Sequence, residues 1–195
     1  MRFLVALVLG LFLANPIQAE VDFTPEIKAA KRLCETIEPL WIDAVIAAED
    51  HEFRNRPRAA SIITVTAAEL LLRQAYPTES AAKLQSRKIA MTLVLAARGT
   101  HDDMVCLLLQ HVDFGQGARG HDTAARRFFL RGSDQLSLAQ TATLAGFLEA
   151  PSRFSSSTDV ALERRDSVLR DMAKLNMISE DDLQSALAEP LTLPR

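Results

Sequence analysis

Glu49 and Asp50, at the end of a nearly all-apolar run, are the residues with the strongest potential for acid–base chemistry. If residues 40–53 form a helix, Glu49 lies on the same face as Ile42 and Ile46. Burial among apolar side chains raises the pKa of a carboxyl group, and the negative end of the helix dipole acts in the same direction. A carboxyl group shifted towards neutral pH is suited to general acid–base catalysis.

The alternative interpretation is a solvated helix end, because structural ion pairs are common at such positions. The arginines that would pair with the two acids are Arg54, Arg56 and Arg58. The four histidines have no spacing typical of a metal site. The sequence therefore predicts no cofactor and no metal centre.

The elements that position these residues are predicted to be helices throughout. Pro25 suits the first turn of one helix, Thr100 followed by acids suits the start of another, and residues 137–140 form a capping box. Further helices are predicted over residues 59–76, 79–98, 123–129 and 158–175, with a loop over 151–157. No segment alternates as a strand does, and no internal repeat is present. We expect a single all-α domain over residues 20–195.

The first 19 residues are predicted to be a signal peptide. Arg2 precedes an apolar run over residues 3–14, which is short for a membrane span, and residues 17–19 suit signal-peptidase cleavage. The alternative is a short uncleaved anchor in the inner membrane. In either case we expect the domain to be periplasmic, or otherwise extracytoplasmic.

Charge and cysteine content limit the partners and the redox chemistry. The formal net charge is −3 at pH 7, which argues against nucleic-acid binding. Cys34 and Cys106 are the two cysteines. They would pair in an oxidising compartment if the fold brings them close enough, and otherwise remain buried free thiols.

A series of motifs along the chain resembles one enzyme family. They are AVIAAEDHEF (44–53), SIIT (61–64), RK (87–88), HDDMVCLLLQHVDFGQGARG (101–120), AARRFF (124–129), LSLAQTATLAG (136–146), APSRF (150–154) and RRDSVLRDM (164–172). Their order and spacing resemble those of glycosyltransferase family 51, the peptidoglycan glycosyltransferase (transglycosylase) domain of penicillin-binding proteins. The resemblance is most specific in the C-terminal half.

The resemblance implies a lysozyme-like helical fold and action on lipid II, a disaccharide carried on a lipid pyrophosphate. In that family a glutamate acts as general base on the acceptor sugar, and the position matches Glu49. The substrate-binding residues implied in the same way are Asp50, Ser61, Thr64, Arg87, Lys88 and Arg164. The implied partners are lipid II or peptidoglycan glycan strands, cell-wall synthesis proteins and the inner-membrane surface. The family also allows a divalent metal, for which the sequence has no evident ligands.

Several positions that carry chemistry in the family hold other residues here, and the segment before the second motif is shortened. The changed positions are Arg56, Pro57, Arg58, Ala59, Ala60, Ile62, Val65, Thr66, Glu69, Met91, Leu108, Gln110 and Gln140. Loss of one positioned polar group typically costs ~10²–10³ in rate. We therefore favour a degenerate, non-catalytic relative (a pseudoenzyme) that binds glycan, lipid precursor or a synthesis partner.

Two active alternatives stay open. One is a minimal peptidoglycan glycosyltransferase with Glu49 as general base. The other is a lysozyme-like lytic enzyme with Glu49 as general acid, a reaction that usually requires a second carboxylate. Glu69 is a candidate for a second carboxylate, although nothing in the sequence fixes its distance from Glu49.

Overall fold

The computed structural model describes residues 22–193, and in that range helices are the only regular secondary structure. The α-helices are α1 (Thr24–Cys34), α2 (Pro39–Glu49), α3 (Ile62–Ala75), α4 (Ala81–Arg98), α5 (His101–His111), α6 (His121–Phe129), α7 (Leu138–Phe147), α8 (Pro151–Phe154), α9 (Thr158–Lys174) and α10 (Glu180–Ala188). Two short 3₁₀ helices cover Arg58–Ala60 and Ser133–Gln135. The prediction of an all-α domain is confirmed.

Side-chain caps fix where several of these helices begin. At α5, the Thr100 hydroxyl accepts from the Asp103 backbone N–H at 3.1 Å, and the Asp103 carboxylate accepts from the Thr100 N–H at 2.7 Å. Ser137 forms the same reciprocal box at the start of α7, and Ser179 does so at α10. These boxes satisfy N–H groups that a helix start leaves unpaired. The predictions at Thr100 and Ser137 are confirmed.

Several predicted boundaries differ from the structure, and three of these differences have a clear physical reason. The helix predicted over residues 40–53 ends at Glu49, because Asp50 adopts φ −158° and ψ 87°. The helix predicted from residue 59 begins at Ile62, where the Ser61 hydroxyl accepts the Ile63 N–H at 3.1 Å. The loop predicted over 151–157 contains helix α8, which begins at Pro151. Proline is tolerated there because the backbone N–H that it lacks would have no partner within the helix at this position.

The helices pack in two groups that share one apolar core. Helix α2 lies against α7 and α9, while α3 lies against α4 and α5. Trp41 from α2 is almost fully buried and contacts Phe114 edge-on, with ring centroids 6.4 Å apart. Its indole N–H donates to the Ser133 carbonyl at 3.1 Å. This burial anchors the N-terminal part of α2, the helix whose last residue is Glu49.

Cys34 and Cys106 form a disulfide that joins α1 to α5, with a Cα–Cα distance of 5.8 Å. Of the two outcomes that the sequence left open, the structure has the paired one. The bond closes a loop between residues separated by 72 positions. By the chain-entropy relation such a loop stabilises the folded state by about 4 kcal/mol.

The predicted signal peptide, residues 1–19, lies outside the described residues. Among residues 22–193, no helix is both long enough and apolar enough to cross a membrane.

Candidate active site

A cleft of about 590 Å³ opens at the C-terminal end of α2. Its walls come from the end of α2 and the turn after it, the first residue of α3, the segment between α7 and α8, and α9. The lining residues are Ala48, Glu49, Asp50, His51, Glu52, Arg56, Ile62, Glu149, Arg164 and Asp171. Polar and charged side chains dominate this set.

Glu49 is the last residue of α2 and lies at the inner side of this cleft. Its Oε1 atom is buried and has no hydrogen-bond partner among the described residues. Burial raises the pKa of this carboxyl group, the Arg164 guanidinium lowers it, and the Glu149 carboxylate raises it. The upward direction agrees with the sequence-based expectation. A carboxyl group with a raised pKa is better suited to hold a proton and pass it to a ligand than a fully solvated one.

Asp50 ties the turn after α2 to the start of α3. Its carboxylate is buried, accepts the Ser61 hydroxyl at 2.8 Å and lies 3.4 Å from the Arg56 guanidinium. The Ser61 oxygen also caps α3 and is fully buried. Ser61 therefore stabilises the cleft wall through these hydrogen bonds but does not line the cleft.

Arg164 reaches the cleft from α9. Its guanidinium donates to the Ala48 carbonyl at 2.9 Å and pairs with the Glu149 carboxylate at 3.1 Å. The Arg164 side chain passes over Gly146 on its way to the cleft. A Cβ atom added to Gly146 would lie only 2.8 Å from the Arg164 Cγ. A glycine at this position lets α7 and α9 approach closely enough for the arginine to bridge α2 and Glu149.

The other predicted site residues lie elsewhere. Thr64 is fully buried in α3, and its hydroxyl has no hydrogen-bond partner among the described residues. Arg87 pairs with Glu79 at 2.8 Å and lies over the Tyr76 ring, with 4.3 Å from its Cζ to the ring centroid. The fold thus brings Glu49, Asp50 and Arg164 together, and leaves Ser61, Thr64, Arg87 and Lys88 outside the cleft lining.

Lys88 and Glu69 line a separate cavity between α3 and α4. The Lys88 ammonium pairs with the Glu69 carboxylate at 3.0 Å, and Arg73 pairs with the same carboxylate at 2.7 Å. Hydrogen bonds from Arg73 and Lys88 lower the pKa of Glu69. Glu69 is therefore ionised, neutralised by two cations and absent from the Glu49 cleft.

The sequence did not identify four acidic or histidine residues of the cleft as site residues, namely His51, Glu52, Glu149 and Asp171. Asp171 lies seven positions after Arg164 in α9, a helical spacing that places both on one face and could have revealed it. His51 lies beside it, with 3.7 Å between the His51 Nε2 and the Asp171 carboxylate. Glu149 lies in the segment between two helices, and no periodic signal points to it.

The cleft carries more negative than positive charge. Its lining includes five acidic residues and two arginines. Each arginine is paired with an acid of the same cleft, Arg56 with Asp50 and Arg164 with Glu149. Among the described residues, no group of three or more His, Cys, Asp or Glu side chains is arranged as metal ligands.

Comparison with known proteins places the chain among transglycosylases. The family model described as Transglycosylase matches residues 54–173, which is more than half of the chain. A Cupriavidus necator protein that carries the provisional description of a transglycosylase is 38% identical over 96 residues, covering 48% of this chain and 42% of that protein. Penicillin-binding protein 1A of Pseudomonas aeruginosa is 26% identical over 171 residues, covering 77% of this chain and 21% of its own length. The chain therefore spans less than half the length of each of these two relatives.

A solved structure shares the fold. The crystal structure of penicillin-binding protein 1A from Haemophilus influenzae matches with a TM-score of 0.51 and 21% identity, over 83% of this chain and 17% of that one. The lysozyme-like helical fold implied by the sequence is thereby confirmed. The family match begins at residue 54 and does not include Glu49. A role for Glu49 is therefore inferred from the geometry of the cleft.

Proposed function

Since the chain belongs to the transglycosylase family, we propose that its Glu49 cleft binds the sugar chain of peptidoglycan and does not polymerise lipid II. The observation that carries this proposal is the charge of the cleft, which has five acids against two arginines. The two arginines are already neutralised by Asp50 and Glu149.

A pyrophosphate group would be repelled by this surface. Like charges a few ångströms apart disfavour each other, most strongly where water is partly excluded. The hydroxyl and acetamido groups of a glycan carry no charge, and their O–H and N–H groups can donate to carboxylates. The cleft therefore suits a neutral sugar chain better than a lipid pyrophosphate.

The basic residues that would otherwise hold a pyrophosphate are engaged away from the cleft. Arg87 pairs with Glu79, and Lys88 pairs with Glu69. Recruiting either side chain to a ligand in the Glu49 cleft would break an existing ion pair, and neither side chain lines that cleft. This arrangement supports loss of the donor pyrophosphate site while the fold is retained.

Polymerisation of lipid II with Glu49 as general base is the second candidate. It is supported by the unpartnered Oε1 atom of Glu49 and by the upward direction of its pKa. Such a group can accept a proton from a sugar hydroxyl. This candidate requires the donor pyrophosphate to bind despite the acidic cleft.

We also propose that the domain lies in an extracytoplasmic space. The disulfide between Cys34 and Cys106 supports this location, since such bonds persist in oxidising compartments. Peptidoglycan lies in that space. Fractionation of cells that express the full chain, with a periplasmic and a cytoplasmic marker, tests the location. Recovery with the cytoplasmic marker would contradict it.

Binding to purified peptidoglycan sacculi tests the proposed function. The matched variants are Ile62→Trp, which adds a bulky ring to the cleft wall, and Ile89→Trp, which adds the same ring to the exposed face of α4. We expect wild type and Ile89→Trp to co-sediment equally with sacculi, and Ile62→Trp to bind about tenfold more weakly. Equal binding by all three, or no binding by wild type, would overturn the proposal.

A further inference from the structure

The cleft contains a second carboxylate that simple glycan binding does not require. Glu149 lies between α7 and α8 and lines the same cleft as Glu49. Its side chain is 61% exposed and is held by the Arg164 guanidinium at 3.1 Å. Glu69 was the candidate for a second carboxylate in the sequence, but it lines a different cavity, whereas Glu149 lines the Glu49 cleft.

Arg164 connects the two glutamates. The same guanidinium donates to the carbonyl of Ala48, the residue immediately before Glu49. This contact places the Glu149 carboxylate at the end of the cleft where Glu49 lies.

The environments of the two carboxyl groups are opposite. Glu49 has a buried oxygen without a partner, whereas Glu149 faces solvent and is paired with a cation. Two carboxyl groups in such different surroundings can divide the roles of acid and base between them. Cleavage of a glycosidic bond usually requires such a pair.

Asp171 is the other carboxylate of the cleft near Arg164, and it is less suitable. Its side chain is 16% exposed and its carboxylate pairs with Lys174 at 2.7 Å. The His51 ring lies 3.7 Å from its other oxygen. Asp171 is thus enclosed by neighbours, while Glu149 is open to water.

We propose that this chain hydrolyses the glycosidic bonds of N-acetylhexosamine glycans, with Glu49 as general acid and Glu149 as general base. The proposal rests on glycan binding in the Glu49 cleft. The bond from the anomeric carbon to the bridging oxygen breaks, and the bridging oxygen takes the proton of Glu49. A water oxygen bonds to the anomeric carbon and gives a proton to Glu149. Attack by water from the opposite face inverts the anomeric centre.

Release of reducing ends from sacculi and from a soluble N-acetylglucosamine oligosaccharide tests the proposal. The variants are Glu49→Gln, Glu149→Gln and the control Glu69→Gln, whose carboxylate lies in the separate cavity between α3 and α4. We expect wild type and the Glu69 variant to release ends at equal rates, and each of the other two to be slower by about 10²-fold or more.

Rescue by azide distinguishes a base from a residue that merely holds Arg164. With an N-acetylhexosaminide that carries a good leaving group, azide can replace the activated water, so it should restore turnover in Glu149→Gln and yield the inverted glycosyl azide. A failure of azide to restore turnover would overturn the role of Glu149. Binding of sacculi without release of reducing ends would overturn hydrolysis and leave glycan binding intact, whereas failure to bind would overturn both.

Discussion

Replacing Arg164 with alanine tests whether its guanidinium both stabilises the fold and lowers the pKa of Glu49. The side chain is 17% exposed and donates to the Ala48 carbonyl at 2.9 Å. A hydrogen bond from a charged donor contributes about 1.5–3 kcal/mol. The pair with Glu149, which is mostly exposed, adds at most ~1 kcal/mol. We therefore expect Arg164→Ala to lower the free energy of unfolding by roughly 2–3 kcal/mol.

The loss of stability in Arg164→Ala should also depend on pH. Arg164 lowers the pKa of Glu49, whose net shift in the folded protein is upward. An upward shift means that the folded protein binds the proton more tightly than the unfolded chain, so stability falls as pH rises through the folded pKa. Without Arg164 this penalty grows. The variant should therefore lose more stability at pH 7 than at pH 4, where Glu49 is more fully protonated.

Urea denaturation at both pH values measures this effect, with Arg170→Ala as a matched control. Arg170 lies on the same helix and is 54% exposed, and its one ion pair within residues 22–193 is with Asp166, at 3.7 Å. We expect a change within ~0.5 kcal/mol for the control. The reasoning would be refuted if the two variants lost equal stability, or if Arg164→Ala lost more at pH 4 than at pH 7.

Three further changes have defined outcomes. Replacing both Cys34 and Cys106 with serine should lower the free energy of unfolding by about 2–4 kcal/mol, and a reductant should lower wild type similarly while leaving the variant unchanged. Ser61→Ala removes a helix cap and a donor to Asp50, so urea denaturation should show a loss of about 1–3 kcal/mol, against almost none for the exposed Ser86→Ala. Glu49→Gln removes a buried charge, so it should raise the melting temperature at pH 8 and have little effect at pH 4. A destabilised Glu49→Gln protein at pH 8 would contradict the assigned direction of the pKa shift.

The parts of the fold that were predicted from the sequence depend on local signals. Thr100 and Ser137 cap helices through side chains within three residues, so a short motif determines them. The apolar face around Glu49 follows from helical spacing alone, and it gave the correct direction of the pKa shift. Neither inference required knowledge of what packs against the helix.

The parts that were not predicted depend on contacts between distant segments. Pairing of Cys34 with Cys106 requires α1 to lie on α5. Arg87 belongs to a family motif, but the nearby Glu79 carboxylate binds its guanidinium away from the cleft. Glu149 enters the cleft only because Arg164 crosses from α9 at Gly146. No local pattern encodes these contacts, and the positions of Arg87, Arg164 and Glu149 determine which charges lie near Glu49.

Polymerisation of purified lipid II is the most direct test of the central claim that this cleft binds glycan and has lost the donor pyrophosphate site. Wild type and Glu49→Gln should be assayed side by side for glycan chains, with sacculus binding measured on the same samples. We expect wild type to bind sacculi and neither protein to make chains. Glycan chains made by wild type and absent with Glu49→Gln would contradict the claim and identify a polymerase with Glu49 as its base.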